Sequence, residues 1–115
     1  MVHATWMDGG IEPLGVRLSI VDGEAIAVVA GALDVFSAAD LREALREAAA
    51  SQVDRVVMDA AGVSFIDVLG LNVLVGMAAE CRGRGMSFVL RNPSDEVLRI
   101  QELIGAEDSA IPIES

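Results

Sequence analysis

Two short apolar runs, Val56-Val57-Met58 and Ser87–Leu90, constrain this chain more than any other feature. Each is too short for a core helix, and each is preceded by a stretch of helical periodicity. Strand–helix–strand units joined by short loops imply parallel pairing with right-handed crossovers. The chain is thereby expected to be α/β, with a sheet that is at least partly parallel.

The stretch before these units has a different character. Val16, Leu18 and Ile20 alternate with Arg17 and Ser19, the pattern of a half-buried strand. Asp22-Gly23 follows, a strong turn signal because glycine tolerates positive φ. Ala25–Ala30 then reads as a strand returning against the first, so an antiparallel hairpin opens the sheet. Ser37-Ala38-Ala39-Asp40 fits a capping box, in which the Ser37 hydroxyl accepts an orphan N–H and the Asp40 carboxylate reaches back to another. Ala38, Leu41, Leu45 and Ala48 share one face of the helix it starts. Leu71, Leu74, Val75 and Ala78 do so in the second helix. Gly83 and Gly85 stand where a helix end wants positive φ. Asn92-Pro93-Ser94 opens a third helix carrying Val97, Ile100 and Ile104, closed by Gly105. Ile111-Pro112-Ile113 reads as a short extended tail at a sheet edge.

The expected fold is therefore a mixed sheet of about four to five strands with about three to four helices. Residues 1–13 lack clear periodicity and are read as an N-terminal arm, and residues 14–115 as the domain. Three loops, Gly31–Phe36, Ala60–Asp67 and Arg91–Asn92, leave the carboxyl ends of parallel strands. Open α/β sheets place their binding surfaces there, which predicts a functional rim.

Composition narrows the function. The 115 residues carry a net charge of −10. Such a surface repels phosphates and anionic lipid heads, and the sequence holds no basic cluster that would open direct nucleic-acid binding. The single cysteine, Cys81, allows no intramolecular disulfide, consistent with a reducing compartment. No apolar run reaches the roughly 18–20 residues needed to span a bilayer. Met1–Gly10 lacks the pattern of a secretory signal. A cytoplasmic protein without membrane insertion is expected.

Catalytic and cofactor signals are sparse. His3 is the only histidine and falls in the expected arm, so it reads as a solvated terminal residue rather than a catalytic or metal-ligating one. Cys81 lies in a helix and reads as a small packed residue. Gly83-Arg84-Gly85 follows a helix, the wrong context for cradling phosphate. Asp34 and Asp67 occupy neighbouring rim loops. An acid/base pair would need a pocket and a raised pKa; Asp67, just before Gly70-Leu71, has the simpler role of capping the second helix. Asp34 is expected to order its own loop. Val68 and Leu69, two large aliphatics beside that capping Asp, are either packed under the loop or exposed to a partner; partial exposure is the favoured reading. No cofactor, metal site or enzymatic activity is expected.

The stretch Val57-Met58-Asp59-Ala60-Ala61-Gly62-Val63-Ser64-Phe65-Ile66-Asp67-Val68-Leu69-Gly70-Leu71 resembles the signature of the STAS family, best known from bacterial anti-sigma factor antagonists. Gly31-Ala32-Leu33-Asp34 resembles that family's segment before its first helix. Leu90-Arg91-Asn92-Pro93-Ser94 is similar to the opening of its C-terminal third. The likeness covers about residues 14–113. It implies the STAS fold and a protein-binding module that engages an anti-sigma factor serine kinase of the histidine-kinase-like ATPase fold and releases its sigma factor. The binding residues it implies are Asp34, Ser64, Asp67, Val68, Leu69, Gly70 and Asn72, on a monomer or weak homodimer.

The resemblance also implies a switch, because family members are phosphorylated on a Ser or Thr at the start of the second helix. Here Leu69 occupies the acceptor position and has no hydroxyl, Val68 replaces the neighbouring Ser, and Ala61 replaces the Ser of the preceding loop. Phosphorylation at position 69 is therefore not expected. Ser64, the remaining hydroxyl, reads as bonding backbone at the strand end. The alternative function is a STAS subunit of another assembly, such as a lipid-transport ABC complex or a stress-signalling scaffold.

Overall fold

The computed structural model describes residues 3–7, 14–50, 52–104 and 111–114. The elements run β1 (His3–Met7), β2 (Leu14–Val21), β3 (Glu24–Leu33), α1 (Ala38–Ala50), β4 (Arg55–Ile66), α2 (Val68–Gly83), β5 (Ser87–Arg91), α3 (Asp95–Ile104) and β6 (Ile113–Glu114). The strands form one sheet whose spatial order is also their order in sequence. β1–β2 and β2–β3 are antiparallel, while β3–β4, β4–β5 and β5–β6 are parallel. The hairpin between β2 and β3 turns on Asp22 and Gly23, both at positive φ, with Val21 paired to Glu24. That geometry is the reason an Asp-Gly pair stands there.

The alternation along each strand decides what packs where. Val16 and Leu18 of β2, Ala25, Ala27 and Val29 of β3, Val56, Met58 and Ala60 of β4, and Phe88 and Leu90 of β5 face one way. They meet Leu41, Ala44, Leu45 and Ala48 of α1 and Leu71, Leu74, Met77 and Cys81 of α2. Val97 of α3 and Ile111 join the same core. Consecutive right-handed crossovers in one direction place the helices on a single face.

The opposite face is roofed by charge. Glu24, Arg55, Arg91 and Glu114 sit on four successive strands, and each acid contacts both bases. Arg55 Nε lies 2.9 Å from Glu24 Oε2, and Arg91 Nε donates to Glu114 Oε1 at 3.0 Å. Glu24 on β3 reaches Arg91 on β5 across β4, and Arg55 on β4 reaches Glu114 on β6 across β5. Beneath that ring Val57 is fully buried and Val89 nearly so, although both face away from the helices. The arginine stems supply the cover that a helix layer provides elsewhere.

Helix α2 lies hard against the end of β3. A Cβ on Gly70 would come within 2.5 Å of the Leu33 carbonyl oxygen and 2.9 Å of Leu33 Cβ. Gly76, one and a half turns on, would put its Cβ into open space. Among the described residues no helix is long and apolar enough to cross a membrane.

Several expectations are corrected. The expected mixed α/β sheet, an antiparallel hairpin followed by parallel units with three helices, is what the chain forms, and within the segment read as an arm β1 pairs with β2 as one further strand, covering backbone groups that would otherwise lie along a bare edge. The loop expected over 60–67 is strand: β4 runs on to Ile66, paired to a β3 that runs on to Leu33. The pairing survives two register shifts, near Val28/Ala30 and Gly31/Ala32, with Gly31 at φ +103°. Such irregularities break the two-residue alternation that marks a strand in sequence. The capping box does not form, because the Ser37 hydroxyl and N–H are engaged by Asp34 and Ala32. Positive φ at the end of α2 belongs to Gly85 alone. Ile20, on the core-facing side of β2, is half exposed at the strand's end. The helix stop expected at Gly105 and the side chain of His3 lie outside the described residues.

Two predictions follow from this packing. Gly70→Ala should destabilise the chain by about 1–3 kcal/mol, because backbone must move to admit the methyl group, whereas Gly76→Ala should stabilise it by about 0.5–1 kcal/mol; urea unfolding of both variants compares the signs directly. Cys81 is buried, and its burial, followed by the adjacent Glu80 carboxylate, pushes the thiol above its ordinary value while Arg84 acts the other way. At neutral pH a thiol reagent should therefore modify the folded chain far more slowly than the urea-unfolded chain, as followed by mass spectrometry.

Candidate protein-binding rim

The carboxyl ends of β3 and β4 carry the two turns that shape the rim, and each is fixed by one aspartate. In the β3–α1 turn, Asp34 Oδ1 accepts from the N–H groups of Phe36 (2.9 Å) and Ser37 (3.2 Å). The Asp34 N–H donates to Ser37 Oγ at 3.0 Å, and that hydroxyl donates to the Ala32 carbonyl at 2.7 Å. The Asp34 carbonyl accepts from Ala38 N–H at 2.9 Å, starting α1. Asp34 is only 9% exposed and Ser37 only 1%. This closed set of bonds leaves Val35 and Phe36 no inward path, and they stand 61% and 57% exposed.

The β4–α2 turn repeats the logic. Asp67 is the N-cap of α2 in extended conformation, and its Oδ1 accepts from Gly70 N–H at 3.0 Å. Its own N–H donates to the Leu33 carbonyl at 3.1 Å, which ties the two turns together. A carboxylate at this end also complements the helix dipole. Val68 and Leu69 follow at the first turn of α2, both about half exposed, and Phe65 precedes them in the same condition.

A third junction, between β5 and α3, borders the rim. Asn92, at φ +51°, donates from Nδ2 to Asp59 Oδ2 at 3.5 Å, and Asp59 Oδ1 accepts from Ala61 N–H at 3.1 Å. Ser94 N–H donates to the Ala60 carbonyl at 3.2 Å, and Ser94 Oγ accepts from Val97 N–H at 3.4 Å. Alongside, Phe65 and Ile66 with Glu96, Arg99 and Ile100 of α3 line an open groove of about 160 Å³.

Of the residues singled out in the sequence, Val68, Leu69, Ser64 and Asn72 are exposed on this end of the molecule. Asp67 is partly buried as a cap. Asp34 and Gly70 are buried, so they shape the rim from behind rather than face outward. Sequence reasoning missed Val35, Phe36 and Phe65. The signal was present: Val35-Phe36 is a pair of bulky apolar residues directly after an ordering aspartate, the same arrangement that drew attention to Val68-Leu69. Chemically the rim offers a rigid apolar surface. In each of its loop aspartates Oδ1 accepts from backbone N–H groups, so that both side chains serve to fix their turns.

Known proteins agree with this architecture. A family model described as "Mlab, STAS domain" matches residues 16–113. The anti-sigma-B factor antagonist of Bacillus subtilis is 36% identical over 81 residues, which span 70% of this chain and 72% of that protein. A crystal structure of an anti-sigma factor antagonist from Mycobacterium paratuberculosis superposes with a TM-score of 0.75 at 24% identity, covering 87% of this chain and 84% of that one. The Bacillus cell fate determinant SpoIIAA in its phosphorylated form superposes at 0.66 with 19% identity, covering 87% and 91%. The structural likenesses concern the fold; the family match takes in both rim turns and the helices that follow them, and with it the chain belongs to the STAS domain family.

Proposed function

We propose that this chain is an anti-sigma factor antagonist. It acts as a cytoplasmic binding module rather than an enzyme, docking a kinase-like anti-sigma factor on the rim and freeing the sigma factor that the partner held. The observation that carries the reading is the apolar rim itself: Val35, Phe36, Phe65, Val68 and Leu69 all stand exposed in or beside two turns that hydrogen bonds fix. Exposed apolar side chains gathered on a fixed frame mark protein-interaction sites, and bulky anchors of this kind carry most of the energy in such contacts. The relative named an anti-sigma-B factor antagonist supports the choice of partner. Asp34, Ser64, Asp67, Gly70 and Asn72 belong to the same surface, some as contacts and some as its frame. The chain works as a monomer or weak homodimer.

Control by phosphorylation at position 69 is absent in this reading. A phosphate there would bring a charge of about −1.5 to −2 to the rim and break an apolar contact. Leu69 has no oxygen to accept one.

The test is affinity capture from the source cell's extract with the native chain, Leu69→Asp and Asp67→Lys as parallel baits. A kinase-like anti-sigma factor should be held by the native chain and released at least about tenfold more readily by Leu69→Asp, a difference of ~1.4 kcal/mol. With the captured kinase and ATP, the native chain should gain no phosphate while Leu69→Ser gains one, as read by intact mass. Recovery of ABC-transport components or scaffold proteins in place of a kinase-like anti-sigma factor would reject the antagonist reading and move the chain to another STAS assembly.

A further inference from the structure

The groove beside α3 has the core residue Ile66 in its wall and Ile100 packed against that core, and it shares Phe65 with the exposed rim. Its volume, about 160 Å³, falls in the range in which an apolar cavity of about 150 Å³ takes up benzene. It therefore has room for one leucine or phenylalanine side chain. Phe65, Ile66 and Ile100 supply apolar walls, and Glu96 and Arg99 form the lip. Among the described residues no ion pair joins Glu96 to Arg99, although they are three apart on one helix.

Charge selects what enters. The exposed side of α3 carries Asp95, Glu96 and Glu102 against the single base Arg99. The chain as a whole stands at −10. Glu96 lines the groove itself, and with Asp95 and Glu102 exposed on the same helix the acidic groups there outnumber the one base. A field of that sign draws in basic segments and repels acidic ones.

We propose that this groove is the anchor site for a partner segment that presents one bulky apolar side chain flanked by lysine or arginine. The proposal rests on the rim being protein-binding and extends it: the five exposed apolar residues form the broad contact, and the groove fixes its register. The anchor side chain fills the space between Phe65 and Ile100, and the flanking cations lie against Glu96 and its acidic neighbours.

The full chain, isotope-labelled, is titrated with three synthetic peptides and followed by NMR. One carries a leucine flanked by lysines, one the same leucine flanked by glutamates, and one an alanine flanked by lysines. The lysine–leucine peptide should shift the amides of Phe65, Ile66, Glu96, Arg99 and Ile100 and bind at least about tenfold more tightly than either of the others. Glu96→Lys, an exposed surface change, should remove that preference for lysine over glutamate flanks. Equal binding of the two charge types, indifference to loss of the leucine, shifts confined to other surfaces, or no shift at all would each overturn the proposal. The outcome is separable from that of the rim reading. A groove that fails these titrations in a chain that still holds its anti-sigma factor through Leu69 loses only the anchor site, whereas loss of the Leu69-dependent capture removes the rim itself.

Discussion

The Leu33 carbonyl oxygen is the point on which this end of the molecule turns. It accepts the Asp67 N–H at 3.1 Å, and it lies only 2.5 Å from where a side chain on Gly70 would begin. The last residue of β3 thus fixes both the entry of α2 and its distance from the sheet. Any other residue at position 70 separates helix from strand, lengthens the Asp67–Leu33 bond and loosens the cap that Asp67 makes to Gly70. The rim's geometry is consequently a property of the β3–β4 pairing rather than of the turns alone. Extending that pair through its irregularities to Leu33 and Ile66 is what brings the two aspartate-locked turns side by side.

Sequence pattern revealed the elements better than their ends. The Asp22-Gly23 hairpin, the three helices, the Asp67 cap and the terminal edge strand were all legible, because each depends on local chemistry that a handful of residues declare. What escaped depends on residues far apart. Gly31 and Gly62 look like loop residues, yet both lie in strand: Gly31 because a positive φ is needed at a register shift, and Gly62 because a Cβ there would come within 2.9 Å of Ala30 Cβ on the neighbouring strand. Ser37 satisfies every local rule for a helix cap. Its hydroxyl is instead turned back to accept the Asp34 N–H and donate to the Ala32 carbonyl, so it is not free to cap the helix, while the Asp34 carboxylate takes the Phe36 and Ser37 N–H groups. The apolar rim was half visible, through Val68 and Leu69. Val35 and Phe36 fall in the stretch read as the Gly31–Phe36 loop, and their exposure becomes visible once the Asp34–Ser37–Ala32 bonds fix that turn.

The charge ring on the other face explains how a sheet with helices on one side avoids a wet, apolar back. Val57 and Val89 are strand residues of the most β-favouring type, which suits central strands but leaves aliphatic surface where no helix covers it. Four charged side chains on β3, β4, β5 and β6 close over them. With side chains about a third exposed, the ion pairs are screened and individually modest. Their joint effect lies in holding the arginine stems across the valines, and in fastening β6, a strand of two residues, through Glu114. Val57 and Val89 are in this way buried without a helix layer, although Val28 on the same face of β3 stays exposed; on the rim, Val35, Phe36, Phe65, Val68 and Leu69 gather at one end.

That contrast bears on what the rim is for. Exposed aliphatics at a chain end or in a loose loop are commonplace and carry little meaning. Here the backbone beneath them is held by named hydrogen bonds on every side, and the space behind them is already filled by Leu33, Ile66 and Leu71, each buried. Val35, Phe36, Val68 and Leu69 therefore remain outward by construction, at a continuing cost in apolar surface left in water. A surface fixed in this way gives up little conformational freedom when it is covered, so most of the hydrophobic gain on contact is retained as affinity. Rigidity and apolar exposure together suit the protein-binding role proposed for the rim, and Asp34, buried, and Asp67, half-buried, are the means by which its shape is kept.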